Sequence, residues 1–367
     1  MALSIAAYEQ DWYLADLLVN AAKYANSETR IILHYNCRSE GLNPFGVLQR
    51  EALDARISIN PRCVTVRPSC GSVLHAHLLN WLHIERNPST FGRPQYFVMQ
   101  ASNMRWLRSG WEGFVQAHHS TVDRSTRIRG EAPATRPVKG HPSGLHRVLP
   151  RAATALTNHT GCFVYADYEG SFWPWSVLRA FVPTLASVLA LHHKQKRASA
   201  MASAPSLSIA LHALDSQLST SLQGTGASHR RVRALNQENV FRKEPLAALD
   251  EPLAALDEAP GAFEEHLLPT FYASTQLGFH RREEVAAACR RPRPARCNYG
   301  LGQRPAPCPA VLMRWPAGAL ASEQSQSHFF ELLRHEALTD DSVFAVKVIW
   351  RHPNNTLLRA IRALPIT

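Results

Sequence analysis

The sequence lacks a Cys-x-x-Cys pair and any apolar run near the roughly 20 residues that span a bilayer. It is also short of acid, with 29 Asp and Glu against 40 Lys and Arg. Its seven cysteines, Cys37, Cys63, Cys70, Cys162, Cys289, Cys297 and Cys308, follow no regular framework. That disfavours zinc and suits either a reduced chain or up to three disulfides with one thiol over. The longest apolar stretch, "SVLRAFVPTLASVLALHH" from Ser176, is broken by Arg179 and Pro183 and reads as a buried helix. The start, "MALSIAAYEQDWYLADLL", has neither the basic residues nor the uninterrupted apolar core of a signal peptide. It runs almost at once into a helix pattern, which leaves room for an upstream segment. No helix-turn-helix, RNP-like aromatic motif or zinc-finger spacing accompanies the net charge of +11. A pI of about 9.6 points to an anionic partner such as nucleic acid, phosphorylated metabolites or anionic membrane, of which nucleic acid is disfavoured, and the many arginines in Pro- and Ala-rich stretches read more as compositional habit than as a binding face.

What is present is 367 residues, 45% of them hydrophobic, enough for a large buried core. Trp12, Leu14, Leu17, Leu18 and Ala21 recur at helical spacing, and "TRIILHYN" follows as a strand. "ARISI" and "CVTVR" read as two short strands. Ser72 then caps a helix, "VLHAHLLNWLHIER", with Leu74, Leu78, Trp81 and Leu82 on one face. "QYFVMQAS" is the next buried strand. This alternation predicts an α/β fold: an open, mostly parallel sheet with helices on both faces. Such sheets bind ligands beyond the carboxyl ends of their strands, which directs attention to the loops "HYNCRSE" and "ASNMRWLRSG".

The organisation predicted is a first half at 1–120, a basic Pro-rich loop at 121–160, a continuation at 161–193 and a low-complexity insertion at 194–259. A candidate catalytic helix at 260–288, an Arg- and Pro-rich loop at 289–325 and a C-terminal unit at 326–367 follow. The insertion carries an exact tandem repeat, "EPLAALD" at 244–250 and again at 251–257, and its composition predicts disorder.

Several stretches offer chemistry. Glu264 and Glu265 open "EEHLLPTFYA", either as acids favouring a helix dipole or as a base. In "YEGSFWPW", Glu169 precedes Gly170 and Ser171, and Tyr168, Phe172, Trp173 and Trp175 form either a stacking wall for a ring or an aromatic core. Lys347 and Arg351 lie on and after a C-terminal strand, placed to neutralise a diphosphate or to protect a sheet edge. His75 and His77, two apart on a helix, point to different faces and make poor joint metal ligands.

Taken in order, these stretches resemble the core-2/I-branching β-1,6-N-acetylglucosaminyltransferase-like family of inverting, GT-A-type sugar transferases. "ILHYNCRS" is similar to the family's strand ending in His-x-Asp-x-Lys-Ser, and "YFVMQASNMRWLRS" to its Ser-Gly-x-Asp-x-Pro-Leu strand and loop. "VRPSCGSVLHAHLLNWLH" resembles its Gly-Ser turn into a helix, "EGSF" its Gly-Ser-aromatic element, and "FEEHLLPT" its Pro-Asp-Glu-x-x-x-x-Thr segment. The resemblance implies Glu265 as catalytic base, with Glu264 in the place of the preceding Asp, and Glu264 and Glu169 stand as alternative or supporting carboxylates. It implies Lys347 and Arg351 on the diphosphate, and Asn36, Ser39, Ser102, Asn103, Gly170, Ser171 and Trp173 around donor or acceptor. It further implies a UDP-sugar donor, a glycan acceptor, no metal or other cofactor, and a Golgi or secretory lumen reached through an anchor not seen here. Three departures accompany it: Asn36 and Met104 stand where Asp is usual, and the strand before Tyr8 reads as nearly absent. The runner-up readings are a non-catalytic relative of the same fold and a basic nucleic-acid-binding protein.

Overall fold

The computed structural model describes residues 1–8, 10–36, 43–53, 55–66, 71–121, 129–131, 163–165, 170–201, 246–258, 267–275, 283–285, 287, 312–314 and 344–347. In chain order the first half comprises β1 (Ala2–Ala7), α1 (Asp11–Tyr24), β2 (Arg30–Tyr35), α2 (Pro44–Arg50), β3 (Ile57–Ile59), α3 (Ser72–Arg86), α4 (Pro88–Phe91), β4 (Tyr96–Ala101), β5 (Met104–Trp106) and α5 (Trp111–His118). Then come β6 (Arg129–Glu131), β7 (Phe163–Tyr165), β8 (Phe172–Pro174), α6 (Trp175–Met201), α7 (Asp250–Leu253) between two 3-10 turns, α8 (Leu267–Thr275), β9 (Leu312–Arg314) and β10 (Ala345–Lys347).

The principal sheet has the order β3-β2-β1-β4-β8. The first four strands are parallel and β8 runs against β4. The predicted mostly parallel sheet is therefore present, and its centre is a strand that the sequence reading treated as nearly absent. All six residues of β1 are buried. Four of those six are alanine or serine, residues that signal a strand weakly because they offer little side chain to pack on a pleated surface.

Alternate residues of each strand face opposite layers. Leu3, Ile5, Ile31, Leu33 and Val98 pack with α1, α2 and α5. Ala2, Ile32, Phe97, Met99 and Trp173 pack with α3, α6 and α8. Helices thus cover both faces, as burial of continuous apolar strands demands. Among the described residues, the sequence "CVTVR" supplies no strand. Val64 donates its backbone N–H to His34 Nε2 at 2.9 Å rather than to a neighbouring strand. The helix cap also differs from expectation: Gly71 holds the N-cap position and Ser72 is the first helical residue.

A polar chain threads the buried layer between β1 and α3. Ser4 Oγ shares a 2.8 Å hydrogen bond with His77 Nδ1. Asn80 Nδ2 donates to Ser4 Oγ at 2.9 Å and to the carbonyl of Ile32 at 3.2 Å, and Asn80 Oδ1 accepts from Asn60 Nδ2 at 3.0 Å. One asparagine on α3 thereby ties two strands and the end of a third, and removal of a partner would leave buried polar groups unanswered.

His34 and His77 are held neutral by this burial. Desolvation, and secondarily a neighbouring histidine, lowers each from 6.5 to about 3. A histidine whose folded value is depressed binds its proton in the unfolded chain first. Stability is therefore full above pH 6.5 and falls as pH drops from there towards 3, by about 1.4 kcal/mol per pH unit for each group. Urea unfolding between pH 7 and 5 should show this slope. A His34→Asn/His77→Asn variant should lose it, whereas an equal slope in parent and variant would refute the assignment.

Candidate active site

The switch in connection direction falls between β1 and β4, so their carboxyl ends open the crevice in which ligands of such sheets bind. From β2, Asn36 stands at the rim, half-buried, its N–H bonded to the Ala7 carbonyl at 2.9 Å. From β4, Ser102 and Asn103 form the turn into β5, with Ser102 buried and Asn103 half-buried. From the antiparallel neighbour, Gly170 donates to the Met99 carbonyl at 2.7 Å. Gly170 has φ +73°, a conformation that a side chain would strain. Four of the sequence-derived positions therefore belong to one edge of the sheet. The register of β10 on β5 adds a fifth, because Lys347 pairs with Met104 immediately after that turn.

Other positions fall differently. Trp173 is 1% exposed, contacts Tyr272 at 5.7 Å between ring centroids, and donates Nε1 to Ser171 Oγ at 3.2 Å. Its ring is core, and the Ser171 hydroxyl is engaged with it, so neither lines an open wall. Phe172 and Trp175 are likewise buried. Met104 is fully buried against α1 and α5, so a carboxylate at that position would be a desolvated charge. The half-exposed group of this turn is Asn103. Glu264, Glu265, Glu169, Ser39 and Arg351 lie outside the described residues, as do Cys37, Cys70, Cys162, Cys289, Cys297 and Cys308. Cys63 is disulfide-bonded.

The turn itself is positioned by residues that sequence reading did not single out. Arg105 Nε donates to Asp16 Oδ2 at 2.7 Å, and its Nη1 donates to the carbonyls of Ser102 and Met104, each at 2.9 Å. The guanidinium lies over the Tyr13 ring at 4.5 Å. One turn further along α1, Asn20 exchanges two hydrogen bonds with the Trp106 backbone, at 2.9 and 2.7 Å. The Trp106 indole donates to Gln100 Oε1 at 2.9 Å and stacks on Trp111. The available signal was the placing of Asp16 and Asn20, i and i+4, within the otherwise apolar buried stripe of α1.

His75 and His77 do diverge, as their spacing predicts: His77 meets Ser4, and His75 Nδ1 donates to Asp257 Oδ1 at 2.7 Å. Among the described residues no group of His, Cys, Asp and Glu is arranged to hold a metal ion, and no helix is long and apolar enough to cross a membrane.

No protein-family model and no curated protein matches the chain. Solved structures similar to part of it include TarS of S. aureus, at 10% identity and a TM-score of 0.27 over 49% of this chain and 29% of that one. The 1–349 piece of TarS superposes at 9% identity and a TM-score of 0.27, over 49% of this chain and 48% of that piece. The same piece in complex with UDP-GlcNAc superposes at 10% identity and a TM-score of 0.27, over 49% of this chain and 47% of that one. This chain thus spans less than half the length of these structures. Likeness at that level assigns neither family nor activity.

The Asp16–Arg105 pair is almost wholly sealed, with side chains 3% and 1% exposed. Asp16→Leu would strand a buried guanidinium and should cost about 3–5 kcal/mol in urea unfolding. The double variant Asp16→Leu/Arg105→Met should recover most of that loss. Equal losses in single and double variants would show that the pair is not what holds the turn.

Proposed function

We propose that the chain is an inverting, metal-independent sugar transferase of GT-A type that takes a UDP-sugar, with UDP-N-acetylglucosamine the first donor to test, and glycosylates a glycan hydroxyl. The observation that carries this reading is the gathering of Asn36, Ser102, Asn103 and Gly170 at the carboxyl edge, with Lys347 in register beside them. Asn36, Ser102, Asn103 and Gly170 came from stretches that resemble the transferase family, and Lys347 is the nearest basic candidate for the role its members give to cationic side chains. The β3-β2-β1-β4 order with a reversed neighbour also suits a nucleotide-sugar fold.

In this mechanism Glu265 removes the proton from the acceptor hydroxyl as its oxygen attacks the anomeric carbon, and the carbon inverts in one displacement. Glu264 and Glu169 are the supporting carboxylates. Lys347 and Arg351 neutralise the departing diphosphate, a charge-assisted role that replaces a divalent cation. Asn36 holds its part of the donor by neutral hydrogen bonds where a carboxylate is usual, which weakens donor binding. The disulfide at Cys63 supports an oxidising compartment such as the secretory lumen.

A second reading, a non-catalytic relative that binds sugar nucleotide or glycan, is favoured by two observations. Asn36 is neutral, and the other position that resembles an Asp is the buried Met104. Ligand-observed NMR of the full chain against UDP, GDP and CMP sugars, with chelator present, separates the readings. A transferase binds a UDP-sugar selectively and slowly releases UDP. Glu265→Gln should keep binding and lose release at least about a hundredfold. Lys347→Ala should weaken binding by about tenfold or more, as loss of a charged hydrogen bond does. Binding without release supports the second reading, and no binding across the panel contradicts the transferase and restricts the second reading to a glycan ligand.

A further inference from the structure

Where composition predicts a disordered insertion, residues 246–258 are helical and packed. The two identical heptads make contacts that repeat with the sequence. In the first, Leu249 is buried, Leu246 packs beside it, and Asp250 closes the unit by pairing with Arg62 and with Arg86 Nη2, the latter at 2.9 Å. Arg86 also donates to the Leu246 carbonyl. In the second, Leu253 and Leu256 are both buried, and Asp257 closes the unit on His75. Leu249, Leu253 and Leu256 are buried in the core and Leu246 packs against it, and each seventh position meets a nitrogen donor on α3.

The receiving surface has a matching period. His75, Leu79, Leu82 and Arg86 follow one another at i, i+4, i+7 and i+11, a single stripe along α3. Asp250 meets the carboxyl end of that stripe and Asp257 its amino end, so the strap runs antiparallel to the helix. Eleven residues of α-helix rise about 16 Å, and seven residues of mixed α and 3-10 helix rise about 10–14 Å; the length of an arginine side chain covers the difference.

We propose that this face of α3, together with Arg62 and α6, is a docking groove that reads the Leu-x-x-Leu-Asp part of each heptad, with two seats that either copy can fill. Its occupant in this structure is residues 246–257 of the tandem heptad, acting as a clasp that ties this part of the insertion to the core.

The identity of the copies makes the test direct. Deleting residues 251–257 from the full chain leaves one heptad joined to the same following residues. It should seat at His75, so His75→Cys with Asp250→Cys should form a mapped disulfide as its main product in the one-copy chain and only a small minority product in the two-copy chain. There, His75→Cys with Asp257→Cys should form the main product. In a second arm, residues 244–257 of the full chain are replaced by a Gly-Ser run of equal length, and a labelled peptide EPLAALDEPLAALD is followed by fluorescence anisotropy. The peptide should bind, and changing both its aspartates to asparagine should weaken it about tenfold or more. Absence of the 75–250 disulfide in a one-copy chain that retains its near-UV circular dichroism would overturn the proposal. Should the one-copy chain fail to fold, failure of the peptide to bind would overturn it.

Discussion

Strand β1 is sealed on both faces by helices and on both edges by β2 and β4, so every polar group it carries must be answered within the protein. Its backbone is satisfied by two parallel ladders, and its one polar side chain, Ser4, by His77 and Asn80. Because Asn80 also reaches the carbonyl of Ile32 and the amide of Asn60, the answer to one buried hydroxyl fixes where α3 lies on three strands. With α3 set in this way, one stripe of it serves the sheet while another, from His75 to Arg86, receives the strap.

The carboxyl edge inherits its rigidity from the opposite layer. Arg105, anchored on Asp16 of α1, donates to the carbonyls of Ser102 and Met104, and Asn20 of α1 bonds the Trp106 backbone, so the turn after β4 is held by one of its own side chains fixed from α1. Ser102 and Asn103 are thus presented from a fixed frame. The ion pair beneath them is better understood as a positioning device than as a source of net stability, because burying both charges offsets much of their attraction. A rigid rim at the switch between β1 and β4 is what the proposed sugar-nucleotide site would require.

Much of this was legible in the amino-acid order, and the failures have identifiable causes. Strand β2, helix α3 and strand β4 announce themselves through branched or aromatic runs and a clear helical period. Strand β1 does not, because close-packed alanines bury well while signalling weakly. "CVTVR" misleads in the other direction: its alternation is that of a strand, but a histidine side chain takes the Val64 amide. The tandem heptad was read by composition, and Leu246, Leu249, Leu253 and Leu256 held the contrary helical spacing. That Asn36, Ser102 and Asn103 lie at the carboxyl ends of strands was reachable from the rule for open α/β sheets, whereas Gly170 was reached through the Gly-Ser-aromatic resemblance. Asp16 and Arg105, 89 residues apart, were not, since only the folded chain brings them together.

The central claim is that the carboxyl edge of the sheet binds the donor, and hydrogen–deuterium exchange of the full chain with and without UDP-N-acetylglucosamine tests it most directly. The account predicts slowed exchange confined to the ends of β2, β4 and β10 and the start of β8, around residues 34–36, 101–106, 170–171 and 345–347. Protection elsewhere, with these segments unchanged at saturating ligand, would contradict it.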